Sequence, residues 1–219
     1  MRFLNMSNTP SSGLNSSADA HCAAVRRFVD ERAGRTWCLF VDRDGVLNRQ
    51  IVGDYVRSWR QFEWLPRAKD ALKILSDWAP HLVVVTNQQG IGKGLMASED
   101  VAAIHRRLQA ELATDHVLLD SLQVCPHLES EGCPCRKPRT GLVLDWLRLH
   151  RDSEQSLSIM VGDSQSDLEL ANNVAALTGG CASIRIGSQI IHGAVADASF
   201  DSLWDFAVAV QRAVTARGA

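Results

Sequence analysis

Short apolar runs that each stop abruptly on polar residues set the rhythm of the chain. Cys38 to Val41 is apolar on both faces and ends on Asp42, His81 to Asn87 is β-branched and apolar until Thr86 and Asn87, and Ser158 to Gly162 ends on Asp163. Runs this short and uniform read as strands covered on both sides, as in a parallel sheet. Leu118 to Val124 and Cys181 to Ile186 extend the set, with Ala196 to Phe200 as one more candidate. Between them lie helical patterns: Arg67 to Trp78 opened by Pro66, Ser98 to Ala113, Gly141 to His150, and Ser202 to Ala213 with Leu203, Phe206, Ala207 and Val210 on one face. Alternating strands and helices predict an α/β fold with a parallel sheet. Met1 to Asp19 is rich in Ser, Asn, Thr and Gly and reads as a disordered extension; Ala20 to Ala33 has helical character. Residues 36 to 215 are then expected to form one domain.

Composition narrows the class. With 219 residues the chain can bury a full core. Its 23 Lys+Arg against 25 Asp+Glu give a net charge of −2, so no global basic field recruits nucleic acid or an anionic membrane. No apolar run approaches the ~20 residues of a membrane span, and the N-terminus lacks the apolar core of a secretory signal. A cytoplasmic monomer is expected, without nucleic-acid or membrane partners.

The chemistry lies where strands stop. At the carboxyl end of a strand in an open α/β sheet, where ligands bind, Asp42 and Asp44 stand one residue apart and Gly45 permits a sharp turn. Alone, the pair is as consistent with a D-G turn as with a site. Asp163, at the end of another run and followed one helical turn later by Asp167, repeats the pattern. Three strand ends then deliver Asp42/Asp44, Thr86/Asn87 and Asp163 to one edge of one sheet, an oxygen-rich arrangement that suits Mg²⁺. Gly90, Gly92 and Gly94 permit a turn whose amides could face an anion, although their spacing matches no phosphate-binding loop.

The cysteines make a second centre. Of six, Cys22, Cys38 and Cys181 are scattered, whereas Cys125, His127, Cys133 and Cys135 fall within eleven residues of polar, Pro/Gly-punctuated sequence. Three thiols and an imidazole suffice for a closed tetrahedral zinc site, which leaves no open position for catalysis and so acts as a structural staple. Arg136 and Lys137 follow the last thiol directly, and a metal-anchored cation pair suits phosphate, Arg as a fork and Lys as a point charge. A phosphate monoester at this edge would find cations and hydroxyl donors for its charge, a carboxylate to attack phosphorus, and a second acid for the protons.

Asp-Arg-Asp-Gly-Val-Leu-Asn48, Val-Thr-Asn-Gln-Gln-Gly90, Cys-Arg-Lys-Pro138 and Val-Gly-Asp-Ser-Gln-Ser-Asp167 occur in order. Over residues 36 to 205 the chain thereby resembles haloacid-dehalogenase-superfamily phosphatases of the histidinol-phosphatase and heptose-bisphosphate-phosphatase branch. The resemblance implies a three-layer, Rossmann-like parallel sheet and an aspartyl-phosphate route. It further implies Asp42 as nucleophile, Asp44 as acid/base, Thr86 and Lys137 as stabilisers of the transferring group, and Mg²⁺ held by Asp42, the Asp44 carbonyl and Asp163. Substrate contacts are expected from Arg43, Gly53, Asp54, Tyr55, Asn87, Gln88, Gln89, Arg136 and Ser164, the last standing where some members carry Lys. Members often insert a cap domain after the first or third motif strand; here those gaps are too short, so specificity falls to 49–62, 88–94 and the zinc loop.

Within the branch, Gly53-Asp-Tyr-Val-Arg57 and Phe62-Glu-Trp-Leu-Pro66 are similar to the heptose 1,7-bisphosphate 7-phosphatases of the mycobacterial type, which implies a phosphorylated sugar as substrate. The five residues between His127 and Cys133 are instead the spacing of histidinol-phosphate phosphatases, which keeps that activity as the alternative. A nucleic-acid end-phosphatase and a non-catalytic zinc-stapled module are the more distant readings.

Overall fold

The computed structural model of the chain describes residues 13–188, 193 and 195–218. Its strands are β1 (Cys38–Val41), β2 (His81–Asn87), β3 (Ser121–Cys125), β4 (Ile159–Gly162), β5 (Ala182–Ile186) and β6 (Ala198–Phe200). All pair in parallel in one sheet of order β3-β2-β1-β4-β5-β6. The order reverses between β1 and β4, whose register sets Val41 against Val161. A crevice opens at such a switch point beyond the strands' carboxyl ends, which is where Asp42 and Asp163 emerge.

Helices α1 (Gly13–Arg32), α2 (Ala68–Trp78), α3 (Ser98–Thr114), α4 (Gly141–Leu149), α5 (Gln165–Thr178) and α6 (Leu203–Gly218) cover both faces. Side chains alternate across a strand, and β1 shows the sorting. Leu39 and Val41 join a core with Val25, Leu72, Leu108 and Phe206 of α1, α2, α3 and α6. Cys38 and Phe40 join another with Val143 and Trp146 of α4 and Leu170 and Val174 of α5. The result is the expected three-layer α/β fold. The β1–β2 gap holds a 3₁₀ turn and α2, the β2–β3 gap holds α3, and the β3–β4 gap holds the cysteine loop, α4 and two 3₁₀ turns.

Element limits depart from expectation by three residues or more at three places. Strand β3 starts at Ser121, not Leu118: Leu118 is exposed, and Asp120 bonds the Leu82 amide (2.8 Å) and His81 Nδ1 (2.9 Å), fixing the strand entrance. Helix α1 begins at Gly13, because extending an existing helix is far easier than starting one, so 13–19 is not disordered extension; 1–12 lies outside the described residues. Helix α6 likewise runs on past Ala213 to Gly218. None of the described helices is long and apolar enough to cross a membrane.

Candidate active site

Lys137 organises the crevice. Its ammonium, almost fully buried, lies 2.7 Å from Asp42 Oδ1 and 2.7 Å from Asp167 Oδ1, and donates to the Val85 carbonyl at 3.0 Å. Burial alone would lower its pKa, but Asp167 and then Asp42 outweigh burial and push it up. Asn87 holds the Lys137 backbone from both sides, accepting from its N–H at 3.1 Å and donating to its carbonyl at 3.2 Å. Asp42 continues the sheet by donating its N–H to Val161 (2.9 Å). Burial raises the Asp42 carboxyl to about 8; Lys137 opposes this, and Asp167 and Asp163 add to it. Burial and Asp167 likewise raise Asp163 to about 6. Carboxylate oxygens of Asp42, Asp163 and Asp167 thus lie within 4.8 Å of one another, with the Lys137 ammonium on two of them. That excess of negative charge over hard oxygen donors fits a divalent cation.

Asp167 was not among the expected site residues, yet it is fully buried. Its Oδ2 accepts from the Ser164 amide (3.1 Å) and hydroxyl (2.5 Å), closing the first turn of α5 as a capping box. With Oδ1 on Lys137, both oxygens have protein partners, whereas among the described residues Asp163 is the acid without such a lock. The Ser164-x-x-Asp167 spacing was the signal for this cap.

Asp44 is pinned differently. Arg43 Nη2 reaches both its oxygens (3.0 and 2.8 Å), Asn48 Nδ2 bonds Oδ1 (2.8 Å) and Gln88 Nε2 bonds Oδ2 (2.8 Å). Burial pushes its pKa up, but Arg43 and the bonds from Asn48, Arg43 and Gln88 outweigh it and hold Asp44 below its ordinary value. Gln88 Nε2 also bonds Thr86 Oγ1 at 2.8 Å, tying the two strand ends together.

The crevice encloses about 250 Å³ and is lined by Asp42, Asp44, Thr86, Lys137 and Asp163 together with Asp54, Tyr55, Asn87, Arg136 and Ser164. Gln50, Ile51, Val56 and Ser166, not singled out from sequence, complete the wall. Four expected substrate contacts are not in it. Arg43 is fully buried behind Asp44, with its guanidinium held by the Asp44 carboxylate and His105. Gln88 is spent on Asp44 and Thr86, Gly53 sits exposed at the loop tip, and Gln89 is half-buried outside the lining. Two of the glycine turn's amides are spent within the protein: the Gly92 N–H bonds the Pro126 carbonyl and that of Gly94 bonds the Ile91 carbonyl. Its use is steric, because a Cβ on Gly90 would come within 2.9 Å of the Tyr55 ring that rests on it. Trp59 stacks on Phe62 with centroids 4.6 Å apart and Trp64 meets Phe62 edge-on at 5.1 Å, so these aromatics pack the loop and leave Tyr55 to the crevice. A larger groove of about 560 Å³ between α3 and β3 contains none of the converging acids around Lys137.

The cysteine loop forms a compact donor cluster. Cys135 Sγ lies 3.3 Å from Cys125, 3.4 Å from Cys133 and 3.1 Å from His127 Nδ1; Cys125 lies 3.6 Å from Cys133 and 3.7 Å from the imidazole. Tetrahedral ligands at ~2.0–2.3 Å from one ion would be spaced by roughly 3.3–3.8 Å, so the four atoms fit a single closed centre. Burial opposes ionisation of Cys133, but bonds from Cys135 and from the Arg136 amide hold it at about 7. Lys137 follows two residues after the last thiol, so a metal closing this loop would also fix the ammonium's backbone.

No family model matches the chain. The D-glycero-alpha-D-manno-heptose-1,7-bisphosphate 7-phosphatase of Mycobacterium bovis is 68% identical over 191 residues, 87% of this chain and 100% of that relative. The D-glycero-beta-D-manno-heptose-1,7-bisphosphate 7-phosphatase of Haemophilus influenzae is 38% identical over 139 residues, 60% of this chain and 73% of the relative. Among solved structures, the D,D-heptose 1,7-bisphosphate phosphatase of B. bronchiseptica, complexed with magnesium and phosphate, superposes with a TM-score of 0.68 at 29% identity, covering 84% of this chain and 100% of that one.

Proposed function

This chain belongs to the D-glycero-manno-heptose 1,7-bisphosphate 7-phosphatases of the haloacid-dehalogenase superfamily, and on that premise we propose how its crevice removes the C7 phosphate. An Asp42 carboxylate oxygen attacks phosphorus, the bond to the sugar oxygen breaks, and that oxygen takes a proton from Asp44. The proton enters with the substrate, as its phosphate monoanion carries one. Water, deprotonated by Asp44, then attacks the aspartyl-phosphate and releases inorganic phosphate, which carries that proton away and leaves Asp42 and Asp44 ionised as at the start. The ionised resting form of Asp44 is the one this second half requires. Lys137 and the Thr86 hydroxyl face the non-bridging oxygens, where charge builds in the transition state. Asp42, Asp163 and the Asp44 carbonyl would hold Mg²⁺, which supplies positive charge that lets an anionic phosphate approach a carboxylate. Arg136, Tyr55, Asp54 and Ser164 would meet the distal half of the substrate, with the α anomer favoured by the name of the 68% identical relative. Zinc is the ion proposed for Cys125, His127, Cys133 and Cys135.

The observation that carries this reading is correspondence over the entire mycobacterial relative at 68% identity. The test is a panel of heptose 1,7-bisphosphate, histidinol phosphate, fructose 1,6-bisphosphate and an aryl phosphate, with ³¹P NMR identifying the phosphate released. Release from C7, with kcat/KM about 10²-fold above the other metabolites, is expected. Preference for histidinol phosphate would overturn the reading.

A further inference from the structure

Arg43 stands between the two acids in the chain but never reaches the crevice, and its surroundings explain why it is there. The side chain is fully buried, with Nη2 gripping both Asp44 oxygens and Nη1 3.1 Å from Nε2 of His105 on α3. A guanidinium offers only donors, so His105 Nε2 accepts, and the ring is neutral with its proton on Nδ1. Arg43 Nε has no hydrogen-bond partner among the described residues. Among the described residues the guanidinium is therefore oriented by two acceptors, one on α3 and one in the crevice. The α3 end is rigid, because His105 is flanked by Ile104 and followed one turn later by Leu108, both in the core.

We propose that His105 is a positioning residue for phosphoryl transfer: by occupying Nη1 it keeps Nη2 of Arg43 on Asp44, and so holds the proton-handling carboxyl in line with the leaving oxygen. This rests on the acid/base role of Asp44 given above. Asn48 and Gln88 each bond a single Asp44 oxygen, whereas Arg43 spans both and sets the tilt of the carboxyl plane. Without His105 a buried N–H loses its acceptor, and the guanidinium turns to find another.

The test uses the leaving group. A sugar alkoxide needs a proton as it departs and a nitrophenolate does not, so in the first half-reaction, before the shared hydrolysis of the aspartyl-phosphate, a displaced Asp44 harms the first substrate selectively. For His105→Leu, the single-turnover rate at which the sugar leaves heptose 1,7-bisphosphate should fall about tenfold or more, with KM and the single-turnover release of nitrophenolate from nitrophenyl phosphate each within about twofold of wild type. His105→Gln, which retains an acceptor, should recover most of the loss. Arg43→Lys, which keeps the charge without the fork, should show the same selectivity and serves if His105→Leu fails to fold. Asp44→Asn is the reference: if it slows both substrates equally, the role of Asp44 falls and this proposal with it. If Asp44→Asn is selective but His105→Leu is neutral or slows both alike, or if His105→Gln is no better than His105→Leu, the proposal alone is overturned.

Discussion

Gly45 and Asp163 approach so closely that a Cβ on Gly45 would lie 1.9 Å from Asp163 Oδ2. Gly45 also has φ +86°, a left-handed conformation that costs other residues about 1–2 kcal/mol. Gly45→Ala should therefore displace the Asp163 carboxylate, lower kcat about tenfold or more and raise the Mg²⁺ concentration for half-maximal activity. A Mg²⁺ titration of the variant checks this, and an unshifted midpoint would remove Asp163 from the ligand set.

Asp42→Asn replaces the attacking oxygen with an amide that is a poor nucleophile and a weaker cation ligand. Turnover should drop by about 10³-fold or more. Activity within about tenfold of wild type would mean that phosphorus is attacked from elsewhere.

Lys137→Met strands Asp42 and Asp167 together in a buried site, and breaking such an arrangement costs about 3–5 kcal/mol. Adding Asp167→Asn, which preserves an oxygen for the Ser164 cap, should recover much of that stability without recovering turnover. Denaturation midpoints and kcat for the single and double variants decide it; a double variant no more stable than the single one would count against the ion-pair account.

His105 should shape stability against pH. Its pKa falls from 6.5 to about 3 on folding, through burial first and the Arg43 charge second, with Asp44 opposing. The folded state then binds fewer protons than the unfolded chain between those values. Its stabilising contribution is complete above about 6.5 and is lost as pH falls toward 3. At pH 5 the loss amounts to about 2 kcal/mol. Urea unfolding of wild type and His105→Gln at pH 7.5 and 5 should show a smaller drop for the variant; equal drops would show that other groups carry the dependence.

The two metal sites should separate by exchange. Mild EDTA should abolish activity that added Mg²⁺ restores, while zinc in a closed Cys₃His cage stays bound. Cys135→Ser should lose zinc, raise KM and lower kcat together, because Arg136 and Lys137 follow the loop directly. Elemental analysis and kinetics settle this, and active protein lacking stoichiometric zinc would refute it.

The strands, their order of use and the crevice acids were legible because each apolar run ends where its chemistry begins. Arg43, which the resemblance implied as a substrate contact, is instead buried against Asp44 and His105, partners that its neighbours in the chain do not reveal. Asp167 and Gln88 were harder. Their roles depend on which neighbour a polar group meets in three dimensions, Lys137 from a loop thirty residues upstream for one and Asp44 just beyond β1 for the other. Leu118 and the start of α1 illustrate a different limit, since hydropathy alone does not place the first residue of an element.

β1 lies between β2 and β4, with hydrogen-bonded neighbours on either side, while the loop carrying Ile51, Val52, Gly53 and Asp54 rims the crevice with Val52 94% exposed. Amides of such a central strand exchange hydrogen only when the whole molecule opens, whereas loop amides exchange through local fluctuations. Substitutions that retune which sugar is accepted can therefore accumulate on the rim at little thermodynamic risk, while any that alter the nucleophile's strand are exposed to selection on foldedness itself.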